Sequence, residues 1–142
     1  MRFMMLMIPK GYEKAGPGAM PDAERVAAMM RYNESLQKAG VLLALDGLHP
    51  PSMGARVSFA GGKPNVTDGP FTEAKEVVGG YWMIQVKSKE EAIEWNSRCS
   101  ASDNEVIEIR QVQEFADFPA NVKEAAAEFS ELQAQSGQRS AT

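Results

Sequence analysis

His49 is the only histidine in this 142-residue chain, and it stands in the run Asp46-Gly47-Leu48-His49-Pro50-Pro51. An imidazole changes charge near neutral pH, which makes it the natural general base of a small acid–base site. A second feature, Asp68-Gly69-Pro70-Phe71, puts a carboxylate at a sharp corner. If the two loops meet, Asp68 orients His49, as a carboxylate orients a catalytic imidazole. Asp46, Lys75 and Tyr81, with Arg56 and Glu76, would complete a polar pocket around a small-molecule substrate. The same residues fit a quieter reading. Asp68 can accept backbone N–H groups in an Asx-type turn, and Gly69 tolerates the conformation needed before Pro70. Thr72 and Glu73 suit one helical turn, and His49 can be an exposed loop residue. Corner and site both stay open on the residues alone.

Other chemistries find less support. Cys99 is the single cysteine, so no internal disulfide forms, and a lone packed thiol suits a reducing, cytoplasmic setting. One histidine and scattered carboxylates lack the spacing of a zinc or iron site, so no metal is expected. Gly61-Gly62 and Gly79-Gly80 do not follow the pattern of a dinucleotide or phosphate loop. Nothing marks a haem or flavin, and the nine methionines fall mostly at core spacing. The expectation is therefore no cofactor. A net charge of −4 without a basic run argues against a nucleic-acid partner. The N-terminal apolar run is too short for a signal peptide or a membrane span.

These side chains need elements to hold them. Residues 2–8, Arg-Phe-Met-Met-Leu-Met-Ile, are apolar on both faces of a strand, which fits a central, doubly covered position. A helix is expected over about 22–38, capped by Asp22 and ended by Gly40. Its inner face is read as Val26, Met29, Met30, Asn33, Leu36 and Gln37. Residues 41–45 form a short extended segment leading into the His49 loop. Residues 56–66 read as a hairpin turning at Gly61-Gly62, with 56–60 as a strand of the sheet. The second strong strand is 77–86, with Val78, Trp82, Ile84 and Val86 on one face and Val77, Tyr81, Met83 and Gln85 on the other. Ser88 and Glu91 form a capping box for a second helix. The last strand, 105–112, alternates Ile107 and Ile109 against Val106, Glu108 and Arg110, as an edge strand does. A C-terminal helix with Asp117 or a neighbour as cap follows, then a polar tail. Val122, Ala126, Phe129 and Leu132 could dock that helix. In all, the reading gives a domain over 1–115, the helix over 116–135 and a disordered tail over 136–142.

The order β-α-β-β-α-β is that of a ferredoxin-like α+β fold. Its first and third strands lie at the centre of an antiparallel sheet, and right-handed crossovers put both helices on one face. The other face is also apolar. Leaving it wet would cost many kcal/mol at roughly 25 cal/mol per Å². A twofold homodimer packed sheet against sheet covers it; the terminal helix folding back is the alternative, weakened by its alanine-rich sequence.

Three stretches carry a family resemblance: "MRFMMLMI" at the N-terminus, "AGVLLALDGLHPP" in the centre, and "VTDGPFTEAKEVVGGYWMI". Over about residues 1–113 the chain resembles the YCII-related proteins of the DGPF subgroup. The resemblance implies a dimeric α/β barrel of ferredoxin-like subunits. It also implies a setting, for some members, beside sigma factors of the extracytoplasmic-function type. Other branches carry a histidine in the first helix, paired with an aspartate as a proposed catalytic dyad, and one includes a dehydrochlorinase. Met29 stands near that histidine's position here, so the dyad does not transfer. Two functions follow as expectations. One is a cofactor-free lyase, isomerase or monooxygenase-like enzyme, its pocket between sheet and helices. The other is a noncatalytic ligand-binding or regulatory protein linked to a sigma factor.

Overall fold

The computed structural model describes residues 1–129 and Leu132. Strand β1 (Arg2–Ile8) has no polar residue after Arg2, and it takes the position such a strand needs. It is hydrogen-bonded on both edges, to β5 (Gly80–Gln85) and to β6 (Val106–Gln111). Strand β2 (Leu42–Gly47) pairs with the free edge of β5, giving the order β2-β5-β1-β6 with every neighbour antiparallel. The expected ferredoxin-like α+β architecture is therefore present.

Helix α1 (Ala23–Lys38) connects β1 to β2, and α2 (Lys89–Ser97) connects β5 to β6. Each crossover joins two parallel strands separated by one antiparallel strand, so both helices cover the same face. Phe3, Met5, Met7, Trp82, Ile84 and Val86 project from the sheet into that layer and meet Tyr32, Leu36 and Ala92. Two polar contacts fix the helices there. The Tyr32 hydroxyl donates to the Trp95 carbonyl at 2.9 Å, and the Trp82 indole N–H donates to Asn33 Oδ1 at 2.7 Å. The Tyr32 and Trp82 rings also meet edge to face, 5.6 Å between centroids.

The helix ends follow their capping residues. Asp22 accepts from the Arg25 N–H at 2.8 Å, and Gly40 leaves α1 at φ 74°. Ser88 accepts from the Glu91 N–H at 3.1 Å, while the Glu91 carboxylate returns to the N–H of Lys87, one residue earlier than a standard box. The inner face of α1 differs from the expected stripe. Tyr32 is buried, whereas Val26 and Met30 are exposed. Apolar residues and alanines lie around much of this helix, so its period alone leaves the face undetermined.

The second strand of the sheet is also not where its alternation placed it. Residues 56–60 belong to β3 (Ala55–Ala60), which pairs only with β4 (Lys63–Asp68) in a separate two-stranded sheet. Alternating residues describe an exposed hairpin as well as they describe a half-buried edge strand. The true edge strand, β2, shows no alternation because its register shifts between Leu42 and Ala44. Past β6, a 3-10 turn at Phe115–Asp117 precedes α3 (Ala120–Ala126). Pro119, not Asp117, stands at the cap of α3. The Asp117 carboxylate instead accepts from the Glu114 N–H at 2.8 Å. A 3-10 turn over Ala127–Phe129 follows α3, and Val122, Phe129 and Leu132 are exposed. The far end of the helix expected over 116–135, and the tail expected over 136–142, lie outside the described residues.

Candidate functional site

The register shift in β2 decides which side chains reach the sheet face that the helices leave uncovered. Leu42 stands opposite Ile84 and Leu45 opposite Trp82, so both pack on the core side. A regular strand would place Leu42, Ala44 and Asp46 together. The bulge sends Ala44 and Asp46 to the other face instead, opposite Met83 and Tyr81. There the Tyr81 hydroxyl donates to Asp46 Oδ2 at 2.8 Å. That bond, with a smaller contribution from burial, holds the phenol above its ordinary range. Tyr81 stays protonated at neutral pH.

Around this pair the outer face is apolar. Leu6 lies opposite Tyr81, Met4 opposite Met83, and Ile8 continues the row. All are only half buried. The far rim is polar, because β6 places Glu108 beside Leu6 and Arg110 beside Met4. At one corner Arg2 makes a two-pronged ion pair with Glu114, Nε to Oε1 at 2.6 Å and Nη2 to Oε2 at 3.0 Å. The Arg2 hydrogen bond holds the Glu114 carboxyl below its usual range. Arg2, Met4, Leu6 and Met83 were not singled out as site residues from the sequence. The signal available was the double-sided apolar pattern of 2–8.

The Asp68-Gly69-Pro70-Phe71 run is a corner by geometry. The Gly69 N–H donates to the Gly54 carbonyl at 2.9 Å. A Cβ on Gly69 would fall 1.6 Å from the Pro51 carbonyl oxygen, so the chain passes too close for any side chain. The Gly69–Pro70 peptide is cis. The guanidinium of Arg56 lies over the Phe71 ring, 4.1 Å from its centroid. Asp68 is exposed at the end of β4, opposite Ala55. Pro70 and Phe71 also line a surface groove of about 450 Å³, whose other wall includes Lys14, Pro17 and Ser52.

Among the five residues His49, Asp68, Asp46, Lys75 and Tyr81, a hydrogen bond joins Asp46 and Tyr81. His49 is exposed between Leu48 and the buried Pro50. The backbone of the preceding residue is held closely. The Leu48 N–H donates to Gly79, and the Leu48 carbonyl accepts from the Tyr12 hydroxyl at 2.5 Å. Among the described residues no hydrogen bond or ion pair joins His49 to Asp68, or Lys75 to either. None of the five lines the groove. The layer between sheet and helices holds no room for the expected pocket at its centre, where Phe3, Met5, Leu36 and Ile84 are at most 1% exposed.

Cys99 follows α2 and packs against the core. Burial, more than any charge, pushes its thiol up to about 11, so it is a poor nucleophile at neutral pH. No cluster of three or more His, Cys, Asp or Glu among the described residues is arranged to hold a metal ion. No helix there is long and apolar enough to cross a membrane.

With this sheet, this order and this exposed face in place, the sequence matches the YCII-related domain over residues 1–116. The chain belongs to the YCII-related family. The matched region spans all four strands of the main sheet, both crossover helices and the β3–β4 hairpin. It ends beside Glu114, whose ion pair with Arg2 closes the YCII-related domain on its own first strand. Among curated proteins, no relative matches the chain.

Proposed function

We propose that this YCII-related chain binds a small molecule on the outer face of its sheet, in a pocket completed when two copies close as a homodimeric α/β barrel. The observation that carries the reading is the Asp46–Tyr81 pair, a hydrogen-bonded acid and phenol at the edge of an apolar, half-open sheet face. Ligand pockets are mostly apolar with a few placed polar groups, and this face has that composition. A ligand with a flat apolar body would lie on Met4, Leu6 and Met83. Its hydroxyl or carboxylic acid group would donate to the Asp46 oxygen that Tyr81 leaves free. Partner closure would exclude water and strengthen that hydrogen bond.

The chemistry such a pair supports is proton transfer without a cofactor. Asp46 takes a proton from the bound molecule and becomes a neutral acid, which frees the one Tyr81 O–H to turn and donate to the anion left on the substrate, as in a lyase or isomerase. In this reading His49, two residues beyond the end of β2, exchanges that proton with solvent. Asp68 and Lys75 belong to the neighbouring corner and act, in this reading, on ligand entry. Within the family we assign the chain to the DGPF subgroup on the run Thr67–Tyr81, and to the cytoplasm on its lone, packed thiol.

A thermal-shift screen of hydroxylated aromatic and carboxylic compounds, followed by calorimetry, tests the reading. A stabilising compound should bind the wild type at least tenfold more tightly than Asp46→Asn or Tyr81→Phe, the loss of about one hydrogen bond. Equal affinity in all three proteins would place the site elsewhere.

A further inference from the structure

Tyr81 follows a glycine pair, and both glycines stand where backbones crowd. The Gly79 N–H donates to the Met7 carbonyl at 2.8 Å, and the Gly79 carbonyl accepts from the Leu48 N–H at 2.9 Å. The chain entering β5 is thus pinned between the ends of β1 and β2. A Cβ on Gly79 would fall 2.5 Å from the Pro9 ring, just beyond β1. A Cβ on Gly80 would fall on the β2 side, 2.9 Å from the Asp46 carbonyl oxygen and 3.4 Å from the Gly47 Cα. The residue it would displace is therefore the acid whose carboxylate accepts from Tyr81 at 2.8 Å. Gly47, the cross-strand partner of Gly80, is different, because a Cβ there meets nothing within 4 Å.

We propose that Gly80 is the positioning residue of the Asp46–Tyr81 pair. Having no Cβ, it lets the Asp46 backbone come close enough for the short aspartate side chain to reach the Tyr81 hydroxyl. The inference rests on the reading that this pair meets the ligand, and it names what sets the pair's geometry. Asp46 and Tyr81 are cross-strand partners, so the spacing of their backbones sets how their side chains meet on the outer face. With a methyl on Gly80, the Asp46 carbonyl must recede by about 0.5 Å before carbon and oxygen reach ordinary contact. Among the described residues β2 is paired with β5 alone, so no second strand opposes that movement. The Tyr81 bond has little room to follow it, since O–H···O bonds run only to about 3.0 Å. The bulge in β2 chooses the face of Asp46, and Gly80 sets its distance.

The test is the ¹³Cζ resonance of Tyr81 at pH 7, in ligand-free full chains labelled at tyrosine Cζ and assigned with Tyr81→Phe. Its shift reports whether the phenol hydroxyl donates to a partner. Asp46→Ala marks the position of the phenol without that partner. Gly80→Ala should move the resonance at least halfway from the wild-type position to that of Asp46→Ala, while Gly47→Ala leaves it at the wild-type position. A folded Gly80→Ala with the wild-type resonance would overturn the positioning role and leave the binding reading standing. Gly47→Ala moving the resonance as far as Gly80→Ala would overturn it too, since crowding against Asp46 would not be the cause. Loss of native far-ultraviolet circular dichroism in Gly80→Ala, beside a folded Gly47→Ala, would make Gly80 a residue of the fold and not of the pair, and so also contradicts the proposal. If the wild type and Asp46→Asn bind the screened compounds equally while Gly80→Ala still shifts the resonance, the binding reading falls and the positioning role stands.

Discussion

Gly69 shows how a residue can be indispensable without reacting with anything. Its Cα passes so close to the Pro51 carbonyl that a methyl group cannot be placed between them. Gly69→Ala must push apart the two segments that meet at the base of the hairpin. The expected cost is about 1–3 kcal/mol, the range for forcing atoms into a packed site. Urea unfolding measures it, and a variant as stable as the wild type would mean that this corner yields freely. Asp46 and Tyr81 are the opposite kind of residue. Their removal leaves packing almost intact, because both side chains stand on the open face of the sheet. Their types were legible in the sequence as acid and phenol. Their contact was not, because it depends on one extra residue in β2. The closeness of Gly69 to Pro51 was equally hidden, being a contact between separate segments.

At the scale of elements, legibility followed the periodicity of each strand. Residues 2–8 and 77–86 are apolar on both sides, so their central places could be argued directly. Residues 105–112 alternate, and they form an edge. Strand β2 is an edge too, but its bulge puts Leu42 and Leu45 on one face and erases the period of two. The hairpin keeps a clean alternation, and on sequence pattern alone that reads as the missing edge. An ion pair joins elements that sequence distance separates. Arg25 of α1 is paired with Glu105, the residue before β6. Burial raises the Glu105 carboxyl. The Arg25 hydrogen bond and the Ser102 N–H at 2.7 Å outweigh it and bring the carboxyl below its ordinary 4.5. A depressed carboxylate stabilises the fold above its unfolded value and loses that contribution as pH falls through the folded one. Arg25→Leu should therefore cost about 1 kcal/mol at pH 7, kept small because the arginine side chain is 39% exposed and water screens it. The deficit should shrink below pH 4.5, where the unfolded chain takes up the proton. Denaturation at pH 7 and pH 4 gives the comparison, and a deficit that grows on acidification would reverse the assigned sign.

On the scale of the whole molecule, the chain has finished one of its two sheet faces. The helix side is closed by fully buried Phe3, Met5, Leu36 and Ile84. The other side carries Met4, Leu6, Ile8 and Met83 in a half-exposed band between a polar pair and a charged rim. That asymmetry links the proposed assembly to the proposed pocket, since the same closure that dries the band also encloses Asp46 and Tyr81. Leu6 lies at the middle of the band, between Tyr81 and Glu108, where a single subunit can accept a lysine but a dry interface cannot. The most direct test is the sedimentation mass of the wild type beside Leu6→Lys at micromolar concentration. The wild type should sediment as two copies of 15.5 kDa and the variant as a folded single copy. A wild type that stays at 15.5 kDa up to hundreds of micromolar would contradict the account.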